Sequence, residues 1–298
     1  MRLREPKDMP PAPTARESPY EPEARYGYKR GQTWRGYKVH LTETCDDDQR
    51  PHLLTQVATT IATAADMEQL AAIHQGLARV DLLPGQHLVD TGYVRARNLL
   101  DSQRHDHIDL VGPTPADHQW QLKAQQGFDR AHFQVDWDQH VVRCPQGRPS
   151  AGWYPTHTPQ GQPVVQVAFA VADCTPCPIR AQCTRAKGQP RGLTLPSRAE
   201  YEAMEAARQR QATSDFAAQY ARRAGIEGTI SQGVRAFGLR QARYRGLRKT
   251  HLQHVATAAA INVGRLTSWL TGIPRGGTRC SRFGALALAR RGAPRRRR

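Results

Sequence analysis

Gln86-His-Leu-Val-Asp90, a helical rhythm over Val94–Arg104 and the apolar Ile108-Asp-Leu-Val111 read in turn as strand, helix and strand. Pro84-Gly85 closes the element before them. That element, Asp66 to Val80, carries Met67, Leu70, Ile73 and Leu77 at helical spacing. Further upstream, Gly36–Thr44 alternates, with Tyr37, Val39 and Leu41 on one face and Lys38, His40 and Thr42 on the other. Asp46, Asp47 and Asp48 form a polar turn, and His52–Thr60 alternates again, so a hairpin is expected. Two antiparallel strands, a helix, a strand, a helix and a strand make a mixed α/β layer.

Outward from this layer the character changes on both sides. Residues 1–32, rich in Pro and charge, read as a flexible leader before a first part at 33–116. Residues 117–192 show no strong helical period and offer short strands at His132–Trp137, His140–Arg143 and Val164–Val171. Four of the six cysteines lie in that β-rich insertion. Helical periodicity resumes with the capping box Ser197-Arg-Ala-Glu200 and runs with breaks to Leu270, giving a helical part at 193–272 and a basic tail at 273–298. Val255, Ala259, Leu266 and Leu270 are the expected core face of the last helix.

The charge is unevenly placed. Lys and Arg number 43 against 26 Asp and Glu, a net +17 over 298 residues. Residues 1–227 hold 27 basic and 26 acidic side chains, whereas 228–298 hold 16 basic and no acidic ones. Such asymmetry points to nucleic acid or another anionic surface. The N-terminus has no apolar core of the signal-peptide kind, and Val255–Leu270 is interrupted by Asn262 and Arg265. It is also shorter than the roughly 20 residues a bilayer requires. The expectation is a cytoplasmic protein without membrane contact, its cysteines free thiols or metal ligands.

Three groups of residues carry chemistry. Asp90 ends an apolar strand ahead of Thr91-Gly92-Tyr93, at the rim where α/β layers bind ligands; the alternative is a turn cap. Aspartic-protease chemistry is disfavoured, because a second Asp-Thr-Gly is missing and helical patterns flank this one. Tyr220, Arg223 and Glu227 fall on one face of a helix, where Arg223 can hold Glu227 or reach a phosphate; the alternative is a solvated ion-pair face. Cys174 and Cys177 have metal-knuckle spacing, and with Cys183 and Cys144 they could close a tetrahedral Zn2+ site; the alternative is free thiols. Cys45 and Cys280 have no partner pattern. Arg235, Arg240, Arg243, Arg245, Arg248 and Lys249 interleave with Phe237, Leu239, Tyr244 and Leu247 and suit backbone phosphates more than base edges.

The run from Ala221 through Arg-Arg-Ala-Gly-Ile-Glu-Gly-Thr-Ile-Ser-Gln to Tyr244-Arg-Gly-Leu and His251-Leu-Gln-His resembles the C-terminal catalytic half of bacterial insertion-sequence DDE transposases. Tyr26-Gly-Tyr-Lys-Arg-Gly, Gly36-Tyr-Lys-Val-His-Leu-Thr-Glu-Thr and Leu88-Val-Asp-Thr-Gly-Tyr are similar to that family's middle region. The resemblance spans most of 18–284 and implies an RNase H-like mixed sheet with helices, here interrupted by the cysteine-bearing insertion. It implies three carboxylates binding Mg2+ or Mn2+. Asp90 matches the second Asp and Glu227 the Glu, with Tyr220 and Arg223 matching the helical signature around it. The signature's lysine falls on Val234, with Arg235 the nearest cation.

The family's first Asp lies upstream of the Tyr26 motif, and nothing before Trp34 reads as a strand bearing one. The chain is thus expected to be a truncated member, inactive alone in strand cleavage. The implied partner is DNA at transposon ends, with room for a homo-oligomer. Alternatives are a noncatalytic DNA-binding remnant and an RNase H-like repair nuclease.

Overall fold

The computed structural model describes residues 10–29, 31–46 and 49–273. The basic tail from 274 on, with Cys280, lies outside the described residues, as do Asp47 and Asp48 of the polar turn. The architecture is mixed α/β, with the strands in four small sheets. The chain divides into two compact units, one holding residues up to 64, 75–82 and those from 221 on, the other 65–74 and 83–220.

In the first unit, β1 (Arg25–Lys29), β2 (Gln32–Glu43) and β3 (Leu54–Ile61) form an antiparallel sheet. The expected strand at Gly36–Thr44 therefore starts earlier and has a partner inside the stretch read as leader. Gly31, at φ 78°, suits the tight reversal between β1 and β2. Gly36 is a joint: β1 pairs with β2 up to Gly36 and β3 takes over at Tyr37. Its φ of 137° is one that residues with a Cβ rarely adopt.

Helices α8 (Gly225–Phe237) and α9 (Leu247–Leu270) complete this unit. Leu54, Ala258 and Ile261 form its core cluster, with Leu41, Val57, Ile226 and Phe237 packed around them. The Asn262 amide bonds both the N–H and the carbonyl of Leu54, at 2.8 and 2.9 Å, fastening α9 to β3. The expected core face of α9 is corrected. Val255, Leu266 and Leu270 are exposed, as is Ala259, and the buried side is Thr250, His254, Thr257, Ala258 and Ile261. That side is largely polar because it meets polar groups: Thr59 Oγ1 lies 2.8 Å from His254 Nδ1.

The start of α9 also draws on the leader. Its N-cap, Gly246, offers no side chain. Instead the Glu21 carboxylate accepts from the Gly246 N–H at 2.9 Å, and Glu23 accepts from the Leu247 N–H at 2.6 Å. Carboxylates at a helix N-terminus satisfy orphan donors and complement the dipole.

In the second unit, β4 (Gln86–Leu88) and β5 (Asp109–Val111) pair in parallel, joined by α2 (Ala96–His105). Leu70, Val89, Val94 and Leu110 pack between them. Gly112 permits the close approach, since a Cβ there would stand 2.6 Å from the Val89 carbonyl. Helix α6 (Arg198–Gln211) packs on α2, which brings residues after 192 into the same unit as 83–116. The start of α6 is the expected cap: Ser197 Oγ accepts from the Glu200 N–H at 3.4 Å and donates to Glu200 Oε2 at 3.1 Å. Ser197→Ala is expected to cost about 1 kcal/mol, read by urea denaturation; an unchanged midpoint would show the cap to be idle.

The β-rich stretch lies wholly in this unit. The hairpin of β6 (Gln134–Asp136) and β7 (Val141–Arg143) stands beside a meander of β8 (Gly152–His157), β9 (Pro163–Ala168) and β10 (Gly192–Pro196). Phe133, Val142, Val167, Phe169, Leu193 and Leu195 are its core. The strands are shorter than expected. Val171, read as the end of a strand, instead opens the short helix α4 (Val171–Cys174), and α5 (Arg180–Cys183) follows.

Candidate functional site

In the second unit Asp90 follows β4 directly. Its carboxylate accepts from the Thr91 N–H at 2.7 Å and caps a 3-10 turn at Thr91–Tyr93. The turn cap and the position expected to match the second Asp therefore coincide: one bond orients the carboxylate, and Asp90 remains half-buried. A further carboxylate, Asp66, stands beside this turn; a Cβ on Gly92 would be 3.2 Å from Asp66 Oδ2. In the sequence Asp66 opens the helical pattern that runs to Val80 and reads as a helix-start residue.

Two polar networks brace this strand pair. Arg210 of α6 makes a two-pronged contact to Asp109 at 2.7 and 2.8 Å. Gln86 donates to the same carboxylate at 2.9 Å, and Gln219 of α7 (Ser214–Ala221) donates to Gln86 at 3.0 Å. The Arg210 guanidinium holds the Asp109 carboxyl below its ordinary range. Beneath the strand, buried His74 places Nδ1 2.9 Å from Asp106 Oδ2 and Nε2 3.0 Å from His87 Nδ1. Burial, with His74 as neighbour, pushes His87 down to about 4.

Tyr220 ends α7, Arg223 sits in the 3-10 turn Arg222–Ala224, and Glu227 lies in the first turn of α8. The expected single helix is thus two helices joined by a tighter turn, with Ala221, Ala224 and Gly225 all right-handed helical. Glu227 is exposed. Two residues on, Thr229 is buried and donates to the carboxylate of Glu43, the last residue of β2. Arg265 of α9 pairs with the same carboxylate at 3.3 Å, and His52 Nδ1 lies 3.8 Å away. The enclosed Glu43 carboxylate, half-buried Arg265 and buried Thr229 therefore fix the start of α8 against β2 and α9. Each was hidden in sequence, where Glu43 read as a strand end and Arg265 as an interruption of an apolar run.

Beyond α8 the six basic residues Arg235, Arg240, Arg243, Arg245, Arg248 and Lys249 are all exposed. Among the described residues none of them is joined to a carboxylate by an ion pair. Arg245 lies over the Tyr20 ring at 5.6 Å. Their neighbours Phe237 and Leu239 turn inward, the first into the core and the second buried. Charge faces outward here and apolar groups inward.

Cys144, Cys174, Cys177 and Cys183 line one cavity of about 40 Å³ in the second unit. All four are half-buried thiols outside any disulfide. Cys45 belongs to the other unit, where its carbonyl accepts from Arg222 at 2.7 Å. Among the described residues no three His, Cys, Asp or Glu side chains stand close enough to hold a metal ion, and no helix is long and apolar enough to cross a membrane.

Residues 143–267 match the family model described as a transposase DDE domain. No curated protein and no solved structure matches the chain. The matched stretch contains Tyr220, Arg223, Glu227, the basic run and all four cysteines of the cavity; Asp90 precedes it.

Proposed function

We propose that the chain, whose residues 143–267 match a transposase DDE domain, is a DDE transposase that acts in DNA transposition by engaging transposon ends and supplying Asp90 and Glu227 to metal-dependent phosphoryl transfer. The observation that carries this reading is that the family match encloses the Glu227 helix together with the exposed cations Arg235 to Lys249. On this reading the fold is RNase H-like. A parallel β4–β5 pair joined by a helix, with an aspartate at the strand exit, supports it.

The donor chemistry suits the ions the family uses. Asp90 and Glu227 are hard oxygen ligands, accessible to solvent in part or in full, as Mg2+ and Mn2+ prefer. Such ions, when bound, stabilise the attacking and leaving oxygens of an in-line displacement. Arg235, Arg240, Arg243, Arg245, Arg248 and Lys249 hold the duplex backbone, and Arg223 and Tyr220 complete the helical signature around Glu227. A homo-oligomer fits the same reading. Two carboxylates fall short of the three that the chemistry uses, so the 298 residues alone are expected to bind DNA ends without cutting them.

The experiment is end binding and nicking by the purified chain across a salt series. Affinity should fall steeply with salt, and replacing Arg243 and Arg248 by Ala should flatten the log–log slope by about 0.9 for each phosphate no longer neutralised. Failure to bind DNA at low salt would sink the whole reading. Mg2+-dependent nicking that disappears in Asp90→Ala would overturn the two-carboxylate limit. Binding without nicking is the result expected here, and it is shared by the alternative, a noncatalytic DNA-binding transposase.

A further inference from the structure

The cavity in the β-rich part of the second unit has no role in the chemistry above. Its four cysteines come from separate local structures. Cys144 follows β7 and opens a tight turn, in which the Gly147 N–H donates to the Cys144 carbonyl at 2.7 Å and the Cys144 N–H to the Arg148 carbonyl at 2.9 Å. Cys174 ends α4, Cys177 sits between the two short helices, and Cys183 ends α5. Phe128, Phe133 and Phe169 wall the space apolar.

Two features here lack a cause within the protein alone. Helices α4 and α5 have four residues each, no side-chain cap and no fully buried residue. So short a helix does not persist on its own hydrogen bonds, and these two contribute little burial to offset the ordering cost. Next, Arg191 Nε is buried without a hydrogen-bond partner, although Nη2 of the same guanidinium donates to Gln119 at 3.1 Å. An unpaired buried donor costs about 1–3 kcal/mol. Arg191 lines the cavity together with Arg148, Arg180 and Asp173, so the lining carries a net positive charge beside the four thiols.

We propose that Cys144, Cys174, Cys177 and Cys183 bind one structural zinc ion, with Arg191 Nε donating to a zinc-bound thiolate. Four thiols release four protons to solvent on binding, and no electron changes hands. Tetrahedral coordination by four sulfurs is closed to water and purely structural. The ion with four thiolates carries two net negative charges, which the three arginines offset. It also replaces the missing burial as the cause that orders α4 and α5. Binding requires the thiols to draw together, since no three of them stand at ligating geometry in the structure.

The test is elemental analysis of the full chain purified under reducing conditions without added metal. About one zinc per chain is expected, retained in Cys45→Ser and lost in the Cys174→Ser, Cys177→Ser double variant. Because that variant could fail to fold, the wild-type chain is also reloaded with Co2+. A sulfur-to-cobalt charge-transfer band with tetrahedral ligand-field absorption is expected. Arg191→Met should weaken zinc retention against a chelator by about tenfold or more, as loss of an outer-sphere donor does. Less than about one-tenth zinc per chain with four titratable thiols, disulfides among these cysteines, or cobalt without the charge-transfer band would each overturn the site. None of these readouts depends on DNA, so this proposal and the transposition reading fail separately.

Discussion

Between pH 7 and pH 4 the protein is expected to lose on the order of 3 kcal/mol of unfolding free energy through a single imidazole, that of His87. Burial, and then the neighbouring His74, depress its folded value to about 4 from the ordinary 6.5. Between those values the unfolded chain holds a proton that the folded chain lacks, so stability rises with pH across the window and is complete above about 6.5. Each unit of difference is worth about 1.4 kcal/mol, and His87 is mostly shielded from solvent, so little of that is lost to screening. The hydrogen bonds give the reason. His74 Nδ1 lies 2.9 Å from Asp106 Oδ2 and its Nε2 3.0 Å from His87 Nδ1, so one hydrogen between the two rings serves both nitrogens. Protonating His87 places a cation where burial disfavours it.

The measurement is urea denaturation at intervals from pH 7 to pH 4 for wild type and His87→Gln. His254, depressed by burial and then by His251, slopes the same way in both proteins and cancels in the comparison. Asp109 acts in a separate range. Its carboxyl is held down by Arg210, so its contribution is present above about pH 4 and lost only as pH falls further. If the two pH curves run parallel, His87 is not the group responsible.

How far the sequence carries depends on whether the determining contact is local. The strand, helix and strand around Asp90 are legible because β4, α2 and β5 are consecutive and apolar at the right periods. The cap at Ser197 is legible because both of its partners lie within one turn. Helix α9 misleads because its buried side is Thr250, His254 and Thr257, which find partners such as Thr59 nearly two hundred residues away. Apolar periodicity marks the opposite face. The leader misleads for the same cause. Glu21 and Glu23 look like solvated charge in a Pro-rich stretch, yet they bond the Gly246 and Leu247 amides in the acid-free part of the chain. Of the candidate site, the motif residues Asp90 and Glu227 are visible in sequence, whereas the groups that hold them in place are not, because a buried ion pair leaves no periodic trace.

The buried pair Glu43–Arg265 supports the second large effect. The Glu43 side chain is 6% exposed and that of Arg265 20%. Two donors converge on this carboxylate, Thr229 of α8 and Arg265 of α9, and His52 Nδ1 lies 3.8 Å away. Arg265 also donates to the His52 carbonyl at 2.6 Å and to Thr229 Oγ1 at 2.5 Å, so its removal strips several acceptors at once. Arg265→Met is expected to destabilise the protein by about 3–5 kcal/mol, because it leaves a buried carboxylate without its cation. For a chain of this size that is a fall in Tm on the order of 10 °C. Glu43→Gln with Arg265→Met should recover most of the loss, since replacing a buried pair as a whole is often close to neutral. Arg265→Lys should fall between, keeping the charge and giving up the second prong toward Thr229. Thermal melts of the four proteins read the series directly. A double variant no more stable than Arg265→Met alone would mean that the two charges are not coupled, and that something other than this pair secures the first turns of the Glu227 helix.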